Sequence, residues 1–179
     1  MALGLDPAPG PHLHPALDAL RAHAELSVPP PENLHVTLAF LGEIDRIQAD
    51  AAGGAVVDAV SGVQPWTVAW GSVGAFPSRA RPRVLWLGLR DEDATRAFHA
   101  GLAAALTTRG LPLEDRPFRP HLTLARVRRA HAGPLPGGIE AQLGPLVVPP
   151  AAAVRTIVLY QSVATGGAPT YHPLLSVSL

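Results

Sequence analysis

The 179-residue chain has no cysteine, no lysine and a single methionine, and no apolar run reaches the roughly eighteen residues needed to cross a bilayer. The absence of cysteine excludes a disulfide framework, a thiolate nucleophile, an iron–sulfur cluster and every cysteine-based zinc site, so only His and carboxylates are left to hold a metal. Charge of one sign is not in excess: the formal net charge is zero, which argues against a strong sequence-independent grip on nucleic acid. The opening Met1-Ala2-Leu3-Gly4-Leu5-Asp6-Pro7 has neither the basic stretch nor the apolar core of a secretory signal. A cytoplasmic protein without membrane association is expected, and a monomer. What is present is apolar bulk: hydrophobic residues make up 47% and charged residues 16%, enough in one chain to bury a core without staples. Pro (20) and Gly (17) are spread out rather than repeated, which excludes a collagen-like or low-complexity chain. Residues 1–60 carry eight acids against Arg21 and Arg46. Arg79, Arg81, Arg83, Arg116, Arg119, Arg126, Arg128 and Arg129 supply eight of the fourteen cations. A GC-rich genome explains arginine in place of lysine; the clustering needs another reason.

Apolar spacing outlines the elements. Ala2 to Asp6 reads as a short strand, and His12 to Glu25 as a helix with Leu13, Leu17, Leu20 and Ala24 on one face. Leu34 to Gly42 alternates, with Leu34, Val36, Leu38 and Phe40 on one face and His35, Thr37, Ala39 and Leu41 on the other. A second helix spans 44–61, weakened by Gly53-Gly54, and Trp66 to Trp70 reads as one strand. After a turn over 76–82, Arg83 to Leu89 is a buried strand. A helix opening at Asp91-Glu92-Asp93 carries the stripe Ala94, Phe98, Leu102 and Leu106 and stops at Gly110. Strands follow from His121 to Arg126 and near 143–148, 153–163 and 171–178. This order is not that of a doubly wound parallel sheet. An α+β fold with mainly antiparallel sheets is expected, as one domain over 1–179.

Two segments are alike: Leu34-His35-Val36-Thr37-Leu38-Ala39-Phe40 and Pro120-His121-Leu122-Thr123-Leu124-Ala125-Arg126. Each sets a His and a Thr two residues apart on one strand face after a proline-containing turn, and they lie about half the chain apart. An internal pseudo-repeat explains this, with two lobes each contributing a strand to a shared cleft. A lone His on such a strand is ordinarily structural, and Thr is an ordinary strand former. The repetition favours chemistry. Imidazole titrates near neutrality, so one His can act as base while the other acts as acid, and Thr hydroxyls can donate to phosphoryl oxygens. The set suits in-line displacement at phosphorus and calls for no metal and no cofactor. Two His and two Thr are poor ligands for zinc. His12, His14, His23, His99, His131 and His172 belong to no motif and are read as surface or packing residues.

These residues resemble the two-histidine (2H) phosphoesterases, and among them the bacterial RNA 2′,3′-cyclic phosphodiesterases, also described as 2′-5′ RNA ligase-like. The resemblance extends over Pro30 to Gly42, Phe76-Pro77-Ser78 with Arg81 to Gly88, Arg116 to Arg126, and Val158-Leu159-Tyr160-Gln161-Ser162. It implies a bilobal fold, two antiparallel sheets flanking a cleft with helices outside, and hydrolysis of RNA or nucleotide 2′,3′-cyclic phosphates to 2′-phosphomonoesters, with reversible 2′-5′ ligation as a secondary activity. It implies His121 as base, His35 as acid, and Thr37 and Thr123 on the phosphate. The family pattern also places an aromatic and an arginine five residues after the two His, matching Phe40 and Arg126. An aromatic at Phe40 is ordinarily core, and the alternative that the resemblance offers is a base-stacking platform; Arg126 is a phosphate clamp. Strict alternation would turn both away from the cleft, so the strands must end or bulge there for the resemblance to hold. Arg119, two residues before His121, is either a further clamp or a surface residue. The alternative from another class is a non-catalytic nucleotide-binding module on the same fold.

Overall fold

Two four-stranded antiparallel sheets and three α-helices account for the regular structure of the described residues, 1–128, 148–163 and 169–179 of a computed structural model. In chain order the elements are β1 (Ala2–Asp6), α1 (Gly10–Arg21), β2 (Leu26–Ser27), a 3-10 turn (Pro31–Asn33), α2 (Arg46–Val60), β3 (Trp66–Val68), β4 (Trp70–Pro77), β5 (Pro82–Leu89), α3 (Asp93–Thr108), β6 (His121–Val127), β7 (Ala152–Val163) and β8 (Thr170–Ser178). In the first sheet β7 is central. It pairs with β1 along one edge, while β3, along 152–154, and β8, along 156–163, share the other. The second sheet has the order β2-β6-β5-β4. The expected α+β architecture with antiparallel sheets is what forms. No helix among the described residues is long and apolar enough to cross a membrane.

Local chemistry sets the helix limits. Leu13, Leu17 and Leu20 are fully buried, but α1 ends at Arg21 rather than Glu25, because the turn after it must release Leu26 to pair with Val127. Ala24, expected on the helix stripe, is exposed. A capping box starts α2: the Gln48 amide donates to Asp45 Oδ1 at 2.8 Å, and the Asp45 amide donates to Gln48 Oε1 at 3.0 Å. That helix runs unbroken through Gly53-Gly54. In α3 the inward stripe is Thr95, Phe98, Leu102 and Leu106, so Thr95 takes the place expected of Ala94; its hydroxyl accepts from Trp66 Nε1 at 3.1 Å. Gly110, at φ +68, closes α3 in the left-handed conformation that glycine tolerates best, and the Leu111 amide then reaches the Leu106 carbonyl at 3.1 Å.

Two strand expectations need correction. Trp66 to Trp70 is not one strand: the chain leaves the first sheet after Val68 and joins the second at Trp70, with the intervening Ala69 carbonyl accepting from the Arg90 amide at 2.8 Å. β4 runs on from Trp70 to Pro77, so residues 71–75, given no element by the apolar spacing, are strand, and Phe76-Pro77, expected in the turn, end it. The strand expected near 143–148 lies, except for Val148, outside the described residues, as do Arg129 and His131. One apolar cluster runs through both sheets, from Leu3, Val154 and Ile157 in the first to Leu87, Leu122 and Leu124 in the second, with the buried faces of all three helices joined to it.

Candidate active site

The first motif does not form the regular strand expected over Leu34 to Gly42. It makes two isolated bridges, Thr37 to Ala2 and Val36 to Leu122, and so lies as a seam between β1 of one sheet and β6 of the other. The Leu3 amide donates to the Val36 carbonyl at 3.0 Å, and the Leu38 amide to the Met1 carbonyl at 2.8 Å. With one bridge to each sheet, the segment builds a ladder on neither side. Alternation survives as far as buried Leu38 and then fails. Ala39 is also buried, and Phe40 is 61% exposed.

The antiparallel bridge between Val36 and Leu122 fixes the site. Both residues are fully buried, so their sequence neighbours share the opposite, accessible face. Antiparallel register sets His35 across from Thr123 and Thr37 across from His121. Such cross-strand neighbours stand roughly 5 Å apart, and residues two apart on one strand about 7 Å. The two imidazoles therefore occupy opposite corners of a small rectangle and the two hydroxyls the others, about a pseudo-twofold axis between Val36 and Leu122.

Both imidazoles are held in the same way. His35 Nδ1 lies 2.7 Å from the Asn33 carbonyl and His121 Nδ1 2.6 Å from the Arg119 carbonyl. A carbonyl only accepts, so each Nδ1 carries the proton and donates it, which leaves each Nε2 as the reactive nitrogen. Burial pushes the pKa of His35 below its ordinary 6.5; the bond to Asn33 opposes this, and positive charge on the chain N-terminus, Arg126 and His121 reinforces it. Burial lowers His121 as well, against its bond to Arg119 and with the help of Arg126. Aromatic rings flank both. Tyr171 stands edge-on to His35 at 4.8 Å with Tyr160 at 6.2 Å, and Phe76 stands edge-on to His121 at 5.0 Å with Trp86 at 6.4 Å.

Arg126 reaches this face through a bulge. Thr123 pairs with Trp86 and Ala125 with Leu85, so Leu124 is an extra residue in β6; Arg126 then pairs with Val84. His121, Thr123 and Arg126 thus lie against Gly88, Trp86 and Val84, on one face of the sheet, while Leu122 and Ala125 point into the core. Without the extra residue Arg126 would face the core. Arg119 is exposed, its guanidinium 6.0 Å from the centre of the Phe76 ring, at the rim of the site rather than beside an imidazole. Phe40 is not core, and among the described residues no ring contact joins it to either histidine. No three of His, Cys, Asp or Glu come together as metal ligands among the described residues.

The aromatic walls, and the two carbonyls that fix the tautomers, were not among the candidate site residues. Tyr160, Phe76 and Trp86 lie inside the longer blocks that carry the family resemblance, which was the available signal; Tyr171 and the carbonyls of Asn33 and Arg119 carry none. Trp86 lies across Gly74 and Gly88: a Cβ on Gly74 would come within 2.2 Å of its ring and one on Gly88 within 3.1 Å.

Known proteins resemble this chain in both sequence and fold. A sequence model of the 2′-5′ RNA ligase superfamily matches residues 9–162. An RNA 2′,3′-cyclic phosphodiesterase of Aeropyrum pernix is 32% identical over 147 residues, 82% of each chain. One of Archaeoglobus fulgidus is 31% identical over 131 residues, 72% of each chain. The structure of E. coli LigT complexed with 3′-AMP is similar at a TM-score of 0.72 and 27% identity, over 99% of this chain and 95% of LigT.

Proposed function

The chain belongs to the 2′-5′ RNA ligase superfamily, and from that premise and the paired imidazoles we propose that it opens 2′,3′-cyclic phosphates on RNA ends or nucleotides to 2′-phosphomonoesters, without a metal. Neutral His121 takes a proton from water at Nε2. The water oxygen bonds to phosphorus as the bond from phosphorus to O3′ breaks, and protonated His35 delivers its Nε2 proton to the departing 3′-oxygen. Thr37, Thr123 and Arg126 hold the phosphoryl oxygens as their charge grows. Arg119 adds positive potential at the rim, and exposed Phe40 offers a face for a nucleobase. With the 5′-hydroxyl of an oligonucleotide attacking phosphorus in place of water, the same forward steps form a 2′-5′ linkage and free the 3′-hydroxyl, a secondary activity whose reverse cleaves that linkage.

One observation carries this reading: each imidazole has Nδ1 bound to a carbonyl, which leaves Nε2 to do the chemistry, and the two share one small face with two hydroxyls. Relatives named RNA 2′,3′-cyclic phosphodiesterases supply the substrate class, and LigT bound to 3′-AMP is consistent with a nucleotide in the cleft. We read both lobes as one catalytic domain, since each gives half of the acid–base pair. The test is turnover of a 2′,3′-cyclic nucleotide by H35A and H121A. Each should lose on the order of a hundredfold or more in kcat with the fold intact by circular dichroism. Turnover within a few-fold of wild type in either variant defeats the reading; tight nucleotide binding with no turnover in the wild type would favour the binding module instead.

A further inference from the structure

We propose that Arg96 and His99, on the outer helix α3, are positioning residues for His121, holding the turn whose Arg119 carbonyl fixes that imidazole's tautomer. The turn is Pro117-Phe118-Arg119-Pro120. Its two prolines have no backbone N–H to donate, so the turn has few bonds of its own with which to hold its shape. The support comes from α3. Arg96 Nη1 donates to the Phe118 carbonyl at 2.7 Å, and the Phe118 ring lies flat on His99, 3.8 Å between centroids and 2° between planes.

Arg96 and His99 are three residues apart and so share one face of the helix, which lets a single stripe grip both the backbone and the side chain of Phe118. The guanidinium is itself oriented by Glu92, one turn earlier, whose Oε2 accepts from Nε at 2.7 Å and also from Nη2. An exposed ion pair of this kind contributes little by itself. The third bond, to the Phe118 carbonyl, is what distinguishes Arg96 from the exposed Arg46–Asp50 pair on α2. The peptide after Phe118 leads to the Arg119 carbonyl, 2.6 Å from His121 Nδ1. The first lobe has a parallel device: Asn33, whose carbonyl accepts from His35, is tied by its Nδ2 to the Pro169 carbonyl at 2.9 Å. In the first lobe the residue that bears the tautomer-setting carbonyl, and in the second the residue just before it, is anchored from a part of the chain distant in sequence.

The catalytic consequence rests on His121 being a reacting group; the tautomer does not. The experiment is therefore two-bond 1H–15N correlation of 15N-histidine-labelled protein without substrate, followed by steady-state kinetics. Wild-type His121 should show a single Nδ1–H tautomer. The double variant R96A/H99A should show averaged 15N shifts for His121 and unchanged shifts for His35. Its kcat should fall on the order of tenfold, as for a slightly misplaced catalytic group, with KM within about twofold. R96K should not rescue, since an ammonium cannot serve Glu92 and the Phe118 carbonyl with one rigid fork, whereas H99F, which keeps the stack, should remain near wild type. R46A should change neither readout. Wild-type His121 shifts in the double variant overturn the proposal whatever happens to turnover. If the double variant does not fold, R96Q and H99L read the same quantity singly. An inactive wild type with the expected tautomer change would remove the hydrolytic reading and leave the positioning role standing.

Discussion

With Nδ1 of His35 and His121 donating to backbone carbonyls, each ring gains or loses its second proton at Nε2, the atom that the proposed reaction uses. Burial holds both pKa values under the ordinary 6.5. A reaction that needs one imidazole neutral and one protonated is fastest between the two values. The profile of kcat/KM should therefore be a bell lying below pH 6.5, falling as pH rises through neutrality because the acid has lost its proton. An anionic phosphate in the site favours the imidazolium form and raises the pKa, so the alkaline limb of kcat should lie at higher pH than that of kcat/KM. Stopped assays across the acid and neutral range decide this; an alkaline optimum contradicts the pairing. The two His and two Thr were legible because the same short pattern occurs twice in one chain. The partners of Nδ1 were not, since any residue other than proline offers the same N–H and carbonyl, and which carbonyl a ring meets depends on the turn.

Among the elements, β6 and the seam beside it decide which side chains face the site. Strict alternation would hide both Phe40 and Arg126, and the two lobes avoid that differently. In the first the alternation simply stops after Leu38; in the second Leu124 bulges and re-aims the residues beyond it. Neither event has a residue signature, because Leu124 and Ala39 are as apolar as the alternation requires. Gly74 of β4 had no signal for a related reason: it forms, with Gly88 of β5, the floor on which Trp86 lies, and Trp86 in turn backs Phe76, at 5.1 Å, and His121. G74A places a methyl carbon 2.2 Å from the indole, so the ring must move. The expected result is a loss of about 1–3 kcal/mol in urea denaturation, an altered tryptophan emission spectrum and reduced turnover. Wild-type stability and emission in G74A would show that the ring does not need the bare strand.

Taken as a unit, the molecule is two sheets that meet along a seam of a few residues, with His35 in the seam and His121 on β6 beside it. The doubling of the motif made this two-lobed plan readable in advance, together with the α+β class and most helices and strands. How the lobes join was not readable: a segment patterned as a strand gives one bridge to each sheet and belongs to neither. On the proposed mechanism, division of the pair between lobes ties hydrolysis to the integrity of both, and Arg126, whose charge acts on both imidazoles, biases the shared face toward an anion. The most direct measurement is phosphorus NMR of a 2′,3′-cyclic nucleotide incubated with EDTA-treated protein. A 2′-phosphomonoester formed at the same rate with and without EDTA is the expected result. A 3′-phosphomonoester, or turnover that EDTA abolishes and a divalent metal restores, would contradict metal-free catalysis by His35 and His121 at the 3′-oxygen.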